Sequence, residues 1–147
     1  MDELATKLNA VLTPALAEGE RLIGACVASE QKGWVGGRMV AIGITEGRLI
    51  VQGANRRWES DGDPISLPPE AIAAAKAEGA GGGWAEFGAA IMDKLAVKLQ
   101  IRTTAGEKLK FSLMRATGPG PLGGLGGGET QRQGVEALAA FFAAAGK

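Results

Sequence analysis

Glu59, Asp61 and Asp63 alternate through a stretch of strong turn chemistry, Ser60-Asp61-Gly62-Asp63-Pro64. Carboxylates so spaced could gather around a hard cation such as calcium. The EF-hand spacing is not there, however, and no later glutamate stands where a bidentate ligand is required, so turn and solubility roles are the expectation. A second pattern, Gly118-Pro119-Gly120-Pro121-Leu122-Gly123, matches G-x-G-x-x-G letter for letter. It follows a strand of antiparallel character, carries two prolines and opens no helix directly, so it reads as a connector and not as a dinucleotide loop. Ser29, Ser60, Ser66 and Ser112 have no surroundings that mark an activated nucleophile. The chain has no histidine and no tyrosine, which removes the commonest general base and the commonest zinc ligand. Its one cysteine, Cys26, lies in an apolar run without a flanking Lys, Arg or His and reads as a buried, inert thiol. These residues point away from catalysis, and no metal or cofactor is expected.

The bulk composition agrees with a binding role more than it defines one. Sixteen basic residues balance sixteen acidic ones. A net charge of zero argues against nucleic acid as partner, which needs a sustained positive surface, and leaves room for a local basic patch. At 147 residues, 46% hydrophobic, the chain suits one domain with a core large enough to need no disulfide. Glycine is the outlier, 24 of the 147 residues, clustered at 79–83 and 118–128 where it marks loops. The Ala/Gly bias suits a GC-rich bacterial genome. The acidic start Met1-Asp2-Glu3 is the reverse of a signal-peptide n-region, and no apolar run is long enough to span a bilayer, so a cytoplasmic location is expected.

The elements follow from periodicity. Leu4, Leu8, Val11 and Leu12 share one face of a helix from Asp2 to Thr13, with Asp2 as N-cap. Pro14 bends that helix or starts a second short turn capped by Thr13, and Gly19 closes the segment. Glu20–Ser29 reads as a first strand. Val40, Ile42 and Ile44 alternate onto one face, Glu46-Gly47 makes a tight turn, and Leu49 and Val51 continue the apolar face. Gln52–Asn55 is expected to turn and Arg56–Glu59 to form a short fourth strand. Ile65-Ser66-Leu67 is extended and, ahead of Pro68-Pro69, belongs at an edge. Residues 70–78 are ambiguous between helix and strand, with a slight lean to a strand around Ile72. Trp84–Lys94 carries spacing for a brief helix. Val97–Thr103 and Leu109–Leu113 alternate as a hairpin with one wet face. Thr130 with Gln133 three residues on has the capping-box pattern, and Val135, Leu138, Ala139 and Phe142 form the apolar stripe of a last helix ended by Gly146. About seven antiparallel strands around one core must curl, and the last helix is the natural plug for the open end.

This order resembles the pleckstrin-homology-like (PH-like) barrels, and more narrowly the bacterial PH-like and GRAM-like domains. The resemblance is carried by Leu16–Leu22, by Ile44-Thr45-Glu46-Gly47-Arg48-Leu49-Ile50, by Ile65–Leu67 and by the Leu99–Leu113 hairpin before a final helix. It covers roughly residues 14–145. The Gly79–Asp93 insertion and the N-terminal helix are departures. The implied fold is α+β: a PH-like barrel of about seven antiparallel strands capped by a C-terminal helix. The implied division is one domain, 1–147, with a helical segment 1–18, barrel strands 20–114, a Gly/Pro-rich loop 117–129 and a capping helix 130–145.

The resemblance also places a candidate site. Phosphoinositide-binding PH domains hold phosphate through basic residues at the end of strand one and the start of strand two, where charge-assisted bonds are strongest. Lys32 and Arg38 occupy comparable places, but Val40 stands where a second arginine is expected. Strand alternation is expected to bring loops 30–37, 52–56 and 79–93 to one barrel end, so that Lys32, Arg38, Arg56 and Arg57 converge. Trp34 at a loop tip could then enter a lipid headgroup region or a partner's pocket, against the alternative that it folds back onto the barrel and the cations are solvated. The expectation is a non-enzymatic binding module that takes a protein partner or self-associates. A peripheral contact with anionic lipid is the alternative, and an enzyme built on carboxylates comes third.

Overall fold

The computed structural model describes residues 3–31, 37–55, 57–78, 96–114 and 128–146. Among them helix α1 spans Glu3–Leu12 and helix α2 spans Gly128–Ala145. The strands are β1 (Gly24–Gln31), β2 (Gly37–Ile44), β3 (Leu49–Gly53), β4 (Ile65–Leu67), β5 (Ile72–Glu78), β6 (Ala96–Thr103) and β7 (Lys108–Met114). They form one sheet in the order β4-β3-β2-β1-β7-β6-β5. Every pairing is antiparallel. The outer strands β4 and β5 follow each other in sequence across a single 3₁₀ turn, Pro69–Ala71, yet do not pair. The sheet is therefore a half-barrel, and with α2 on its inner face this is the expected α+β PH-like architecture.

Alternation decides which side chains meet. Val40, Ile42 and Ile44 of β2 join Cys26, Leu49, Val51, Leu99, Ile101, Phe111 and Leu113 in the inner core, where Val135, Leu138 and Phe142 of α2 complete the packing. The opposite parity, Val27, Ala41 and Ile50, faces outward but is also dry, because Leu4, Leu8, Val11 and Leu12 of α1 lie on it. All five residues of β3 are buried for that reason. The apolar stripe of α1 is thus spent on the sheet and does not offer itself to a partner. Burial pushes the Cys26 thiol up to about 12, in keeping with an inert group. The β6–β7 hairpin keeps Lys98, Arg102, Lys108 and Lys110 on its wet face, as alternation predicts. Among the described residues no helix is long and apolar enough to cross a membrane.

Helix α2 is fastened where the barrel is incomplete. β1 pairs with β2 over its whole length but meets β7 only from Ala28 to Glu30. Val27 thus has an edge that no strand covers among the described residues. Gln131 supplies the missing partner: the Val27 N–H donates to its Oε1 at 2.8 Å, and its Nε2 donates to the Val27 carbonyl at 3.0 Å. One turn on, Gly134 lets the helix touch the strand directly, for a Cβ there would lie 1.9 Å from the Ala25 carbonyl oxygen.

Several expectations shift. β1 begins at Gly24, not Glu20, although the Ile23 N–H still donates to Ile44. Pro14 sits in a 3₁₀ turn, Thr13–Ala15, without a side-chain cap, because the Thr13 hydroxyl donates back to the Asn9 carbonyl instead. Where a strand was expected at Arg56–Glu59, the described residues 57–59 form a turn and no strand. The Asn55 side-chain oxygen accepts from the N–H groups of Arg57 (2.9 Å) and Glu59 (3.0 Å), a local alternative to strand pairing. Trp58 completes that turn at a positive φ of 60° with its ring half-buried against the α1 cluster. The fourth strand is Ile65–Leu67, an edge strand as the prolines require. Residues 72–78 are strand, and α2 begins at Gly128, so Thr130 lies inside the helix and not at its cap. The Asp2 cap, the insertion at 79–93 and the helix expected at Trp84–Lys94 lie outside the described residues.

Candidate functional site

The sequence directs attention first to the end of the sheet where β1 passes to β2. Arg38 opens β2 directly across from Glu30 of β1. Its Nε donates to Glu30 Oε1 at 3.2 Å, and Glu30 is only 3% exposed. The guanidinium then runs over Gly53 at the end of β3: a Cβ on that glycine would lie 2.6 Å from Arg38 Nη1. The loop beyond β3 closes against this place through Gln52, whose Nε2 donates to the Gly62 carbonyl at 2.9 Å, and through Ser60, whose hydroxyl donates to Val11 at 2.7 Å. Arg38 is thus held by an interior carboxylate and a glycine-lined slot. Arg57 stands exposed on the neighbouring turn. Lys32, Trp34 and Arg56 lie outside the described residues.

The strand directions bring the β1–β2 and β3–β4 loops to one end, as expected. They place Glu78 and Ala96, the anchors of the β5–β6 connection, at the other. Four successive antiparallel neighbours, β1, β7, β6 and β5, put the Thr104–Glu107 turn beside the end of β1 instead. Alternation breaks between β4 and β5: both run opposite to β1, and they stand at the two edges of the sheet without pairing.

At the opposite end a different arrangement appears. Glu20, just before β1, and Arg48, just before β3, form a bidentate pair: Arg48 Nη2 to Glu20 Oε1 at 2.6 Å and Nε to Oε2 at 2.9 Å. The same guanidinium reaches the Ala15 carbonyl and the Ser66 hydroxyl, each at 3.0 Å. Glu20 also accepts from the Ala17 N–H. Arg48 and this N–H hold the Glu20 carboxyl well below the usual range, at about 2, and Glu20 in turn raises Arg48. The turn between β2 and β3 is fixed beside the pair by Thr45, whose Oγ1 accepts from the N–H groups of Gly47 and Arg48. One staple therefore joins the approach to β1, the end of the 3₁₀ turn, the β2–β3 turn and β4.

The pair sets an acid response. Above about pH 5 Glu20 is ionised in both folded and unfolded chains and the staple contributes fully. As pH falls from about 4.5 toward 2 the unfolded chain takes up a proton that the folded chain does not, so this stability is lost, by about 2 kcal/mol after screening at a partly exposed site. Arg48→Ala is expected to lower stability by a similar amount at pH 7 and to flatten the acid limb between pH 4.5 and 2. Urea titrations of both proteins across that interval check it; parallel acid limbs would contradict the assignment.

Beside the staple runs a groove. Its polar part, about 400 Å³, is lined by Gly19–Ile23 and Thr45–Gly47. Its apolar part, also about 400 Å³, continues over Ile23, Ile44, Pro69, Ala137, Ala140 and Phe141. Ile23 stands on the wall shared by both and is 60% exposed, the one large apolar side chain so exposed among the described residues. An aliphatic side chain left in water beside an apolar depression gains the free energy of burial only when something covers it. Among the described residues no three or more Cys, Asp or Glu gather as a metal site.

Reading the sequence missed this groove. One signal was present: α2 carries a second apolar line, Ala137, Phe141 and Ala144, beside the stripe that fills the core. Ile23 itself sits where strand alternation has not yet begun.

No family model matches the sequence. No curated protein matches it either. Among solved structures the chain is similar to the C-terminal domain of an unknown protein from Leishmania infantum, with a TM-score of 0.54 at 12% identity over 98% of this chain and 99% of that one. It is also similar to a chain of the complex of PDZ-RhoGEF DH/PH domains with GTP-γS-activated RhoA, with a TM-score of 0.48 at 9% identity. That match covers 94% of this chain and 36% of the other. At these identities the likenesses are of fold.

Proposed function

We propose that the chain is a non-enzymatic PH-like binding module whose ligand is protein, taken in the apolar groove between the β2–β3 turn and α2. The observation that carries this reading is Ile23, 60% exposed on the lip of a groove floored by alanines and walled by Phe141. Exposed apolar surface beside a depression is the pattern of an interaction site. The apolar filling of the inner face supports the non-enzymatic part of the reading, because a catalytic pocket needs polar groups held there. Peripheral binding to anionic headgroups through Lys32, Arg38 and Arg56 is the second reading. It is weakened by Glu30, which already engages the one member of that trio among the described residues.

Selection from a displayed peptide library tests the groove. The unaltered chain is expected to enrich peptides with an apolar anchor, and Ala140→Glu, which sets a charge on an exposed part of the groove, is expected to lose them. Equal enrichment by both proteins, or none above background, removes the groove as the site. Co-sedimentation with phosphatidylserine vesicles at low salt tests the second reading. Binding that disappears in Arg38→Ala would put a membrane in the place of the protein ligand.

A further inference from the structure

The groove carries its own complement. Ile23 is a projecting apolar side chain, and the depression lined by Ile44, Pro69, Ala140 and Phe141 adjoins it on the same surface. We propose that the occupant is a second copy of this chain, joined in a two-fold contact in which Ile23 of each copy enters the groove of the other. The inference rests on the groove reading above and names its partner.

A two-fold contact demands that one surface hold both halves of the match, since residue i of one copy meets residue j of the other and the reverse. Knob and hole side by side meet that demand; a surface built for an unrelated partner needs only the hole. The charges around Ile23 agree. Arg21 and Glu46, of opposite sign, are both exposed and both line the polar part of the groove that Ile23 bounds. Turning one copy about an axis through this wall brings Arg21 of each toward Glu46 of the other, an attraction made twice. The net charge of zero leaves no long-range repulsion between copies. Rigidity favours the contact as well. The Glu20–Arg48 staple fixes the segment bearing Arg21 and Ile23, so little ordering entropy is lost on association.

Sedimentation equilibrium of the full chain is the test. The expected result is a mass rising with concentration from 15.0 kDa toward twice that value. Ile23→Asp is expected to weaken the dimer by about tenfold or more while leaving the circular dichroism melt unchanged, because the side chain is exposed. Arg21→Glu and Glu46→Arg are each expected to weaken it, and the double exchange to restore it. A monomer up to on the order of 100 µM, or a dimer indifferent to Ile23→Asp, overturns the proposal. A double exchange no tighter than either single change overturns the two-fold arrangement. A monomer that still selects peptides in a manner abolished by Ala140→Glu separates the two readings: the dimer fails and the groove stands.

Discussion

Gly134→Ala is expected to destabilise the fold by about 3 kcal/mol or more, against every expectation from helix propensity. Gly134 lies well inside α2, where alanine is the better helix former by ~1 kcal/mol. Propensity alone therefore predicts a more stable protein. The contact predicts the opposite, because a Cβ would stand 1.9 Å from the Ala25 carbonyl oxygen and 2.5 Å from its carbon. Those atoms are backbone in a strand already paired with β2, so they cannot rotate aside. The helix must move away by more than an ångström instead. That move opens the inner core where Val135, Leu138 and Phe142 are packed, and loosened packing is charged for each of them. Gly47→Ala is the control: nothing lies within 4 Å of its Cβ position and its φ is not positive, so it should stay within about 0.5 kcal/mol of the parent. Denaturant midpoints of the three proteins decide the sign. A stabilised Gly134→Ala protein would mean that α2 does not lie against β1 at this distance.

The contrast between these two glycines shows what a sequence can and cannot disclose. Period-two alternation at Val40, Ile42 and Ile44 is a local property, and it placed those residues in the inner core correctly. The same holds for Leu99, Ile101, Phe111 and Leu113, and for the stripe of α2. Arg56–Glu59 was misjudged because its decisive feature is one hydrogen-bonding side chain, Asn55, whose effect on the next four residues competes with their β-forming character. Arg38 was recognisable as a cation, but Glu30 was read as the first residue of the loop after the first strand, whereas β1 runs on through it to Gln31. Only the register that sets Glu30 across from Arg38 turns the pair into an ion pair between a buried carboxylate and a half-buried guanidinium. The groove was hidden for a stronger reason. Its lip is Ile23 and its wall is Phe141, and no spacing rule links positions so far apart in the chain.

Gln131 is the sharpest case of such a hidden link, and replacing it is the second large effect. Gln131→Leu keeps the side chain's bulk and removes both hydrogen bonds to Val27. The Val27 N–H and carbonyl then remain buried beneath α2 without their partner 104 positions away. Each buried backbone group so abandoned costs roughly 1–3 kcal/mol, giving about 2–6 kcal/mol for the pair. Gln131→Glu separates hydrogen bonding from packing. A carboxylate can still accept from the Val27 N–H but has no donor for the Val27 carbonyl, and it brings a charge into a buried place. At pH 7 it is expected to be at least as damaging as leucine. In acid the protonated form regains a donor, so its deficit relative to the parent should shrink as pH falls. Equal stability of all three proteins at pH 7 would show that the side-chain amide does not complete the β1 edge. The effect reaches the groove as well. Ala137, Ala140 and Phe141 sit on the same helix, one to three turns beyond Gln131, and their position over Ile44 and Pro69 is set by where that amide locks the helix to the strand. A glutamine that finishes a sheet edge is thus also what aligns the apolar wall opposite Ile23.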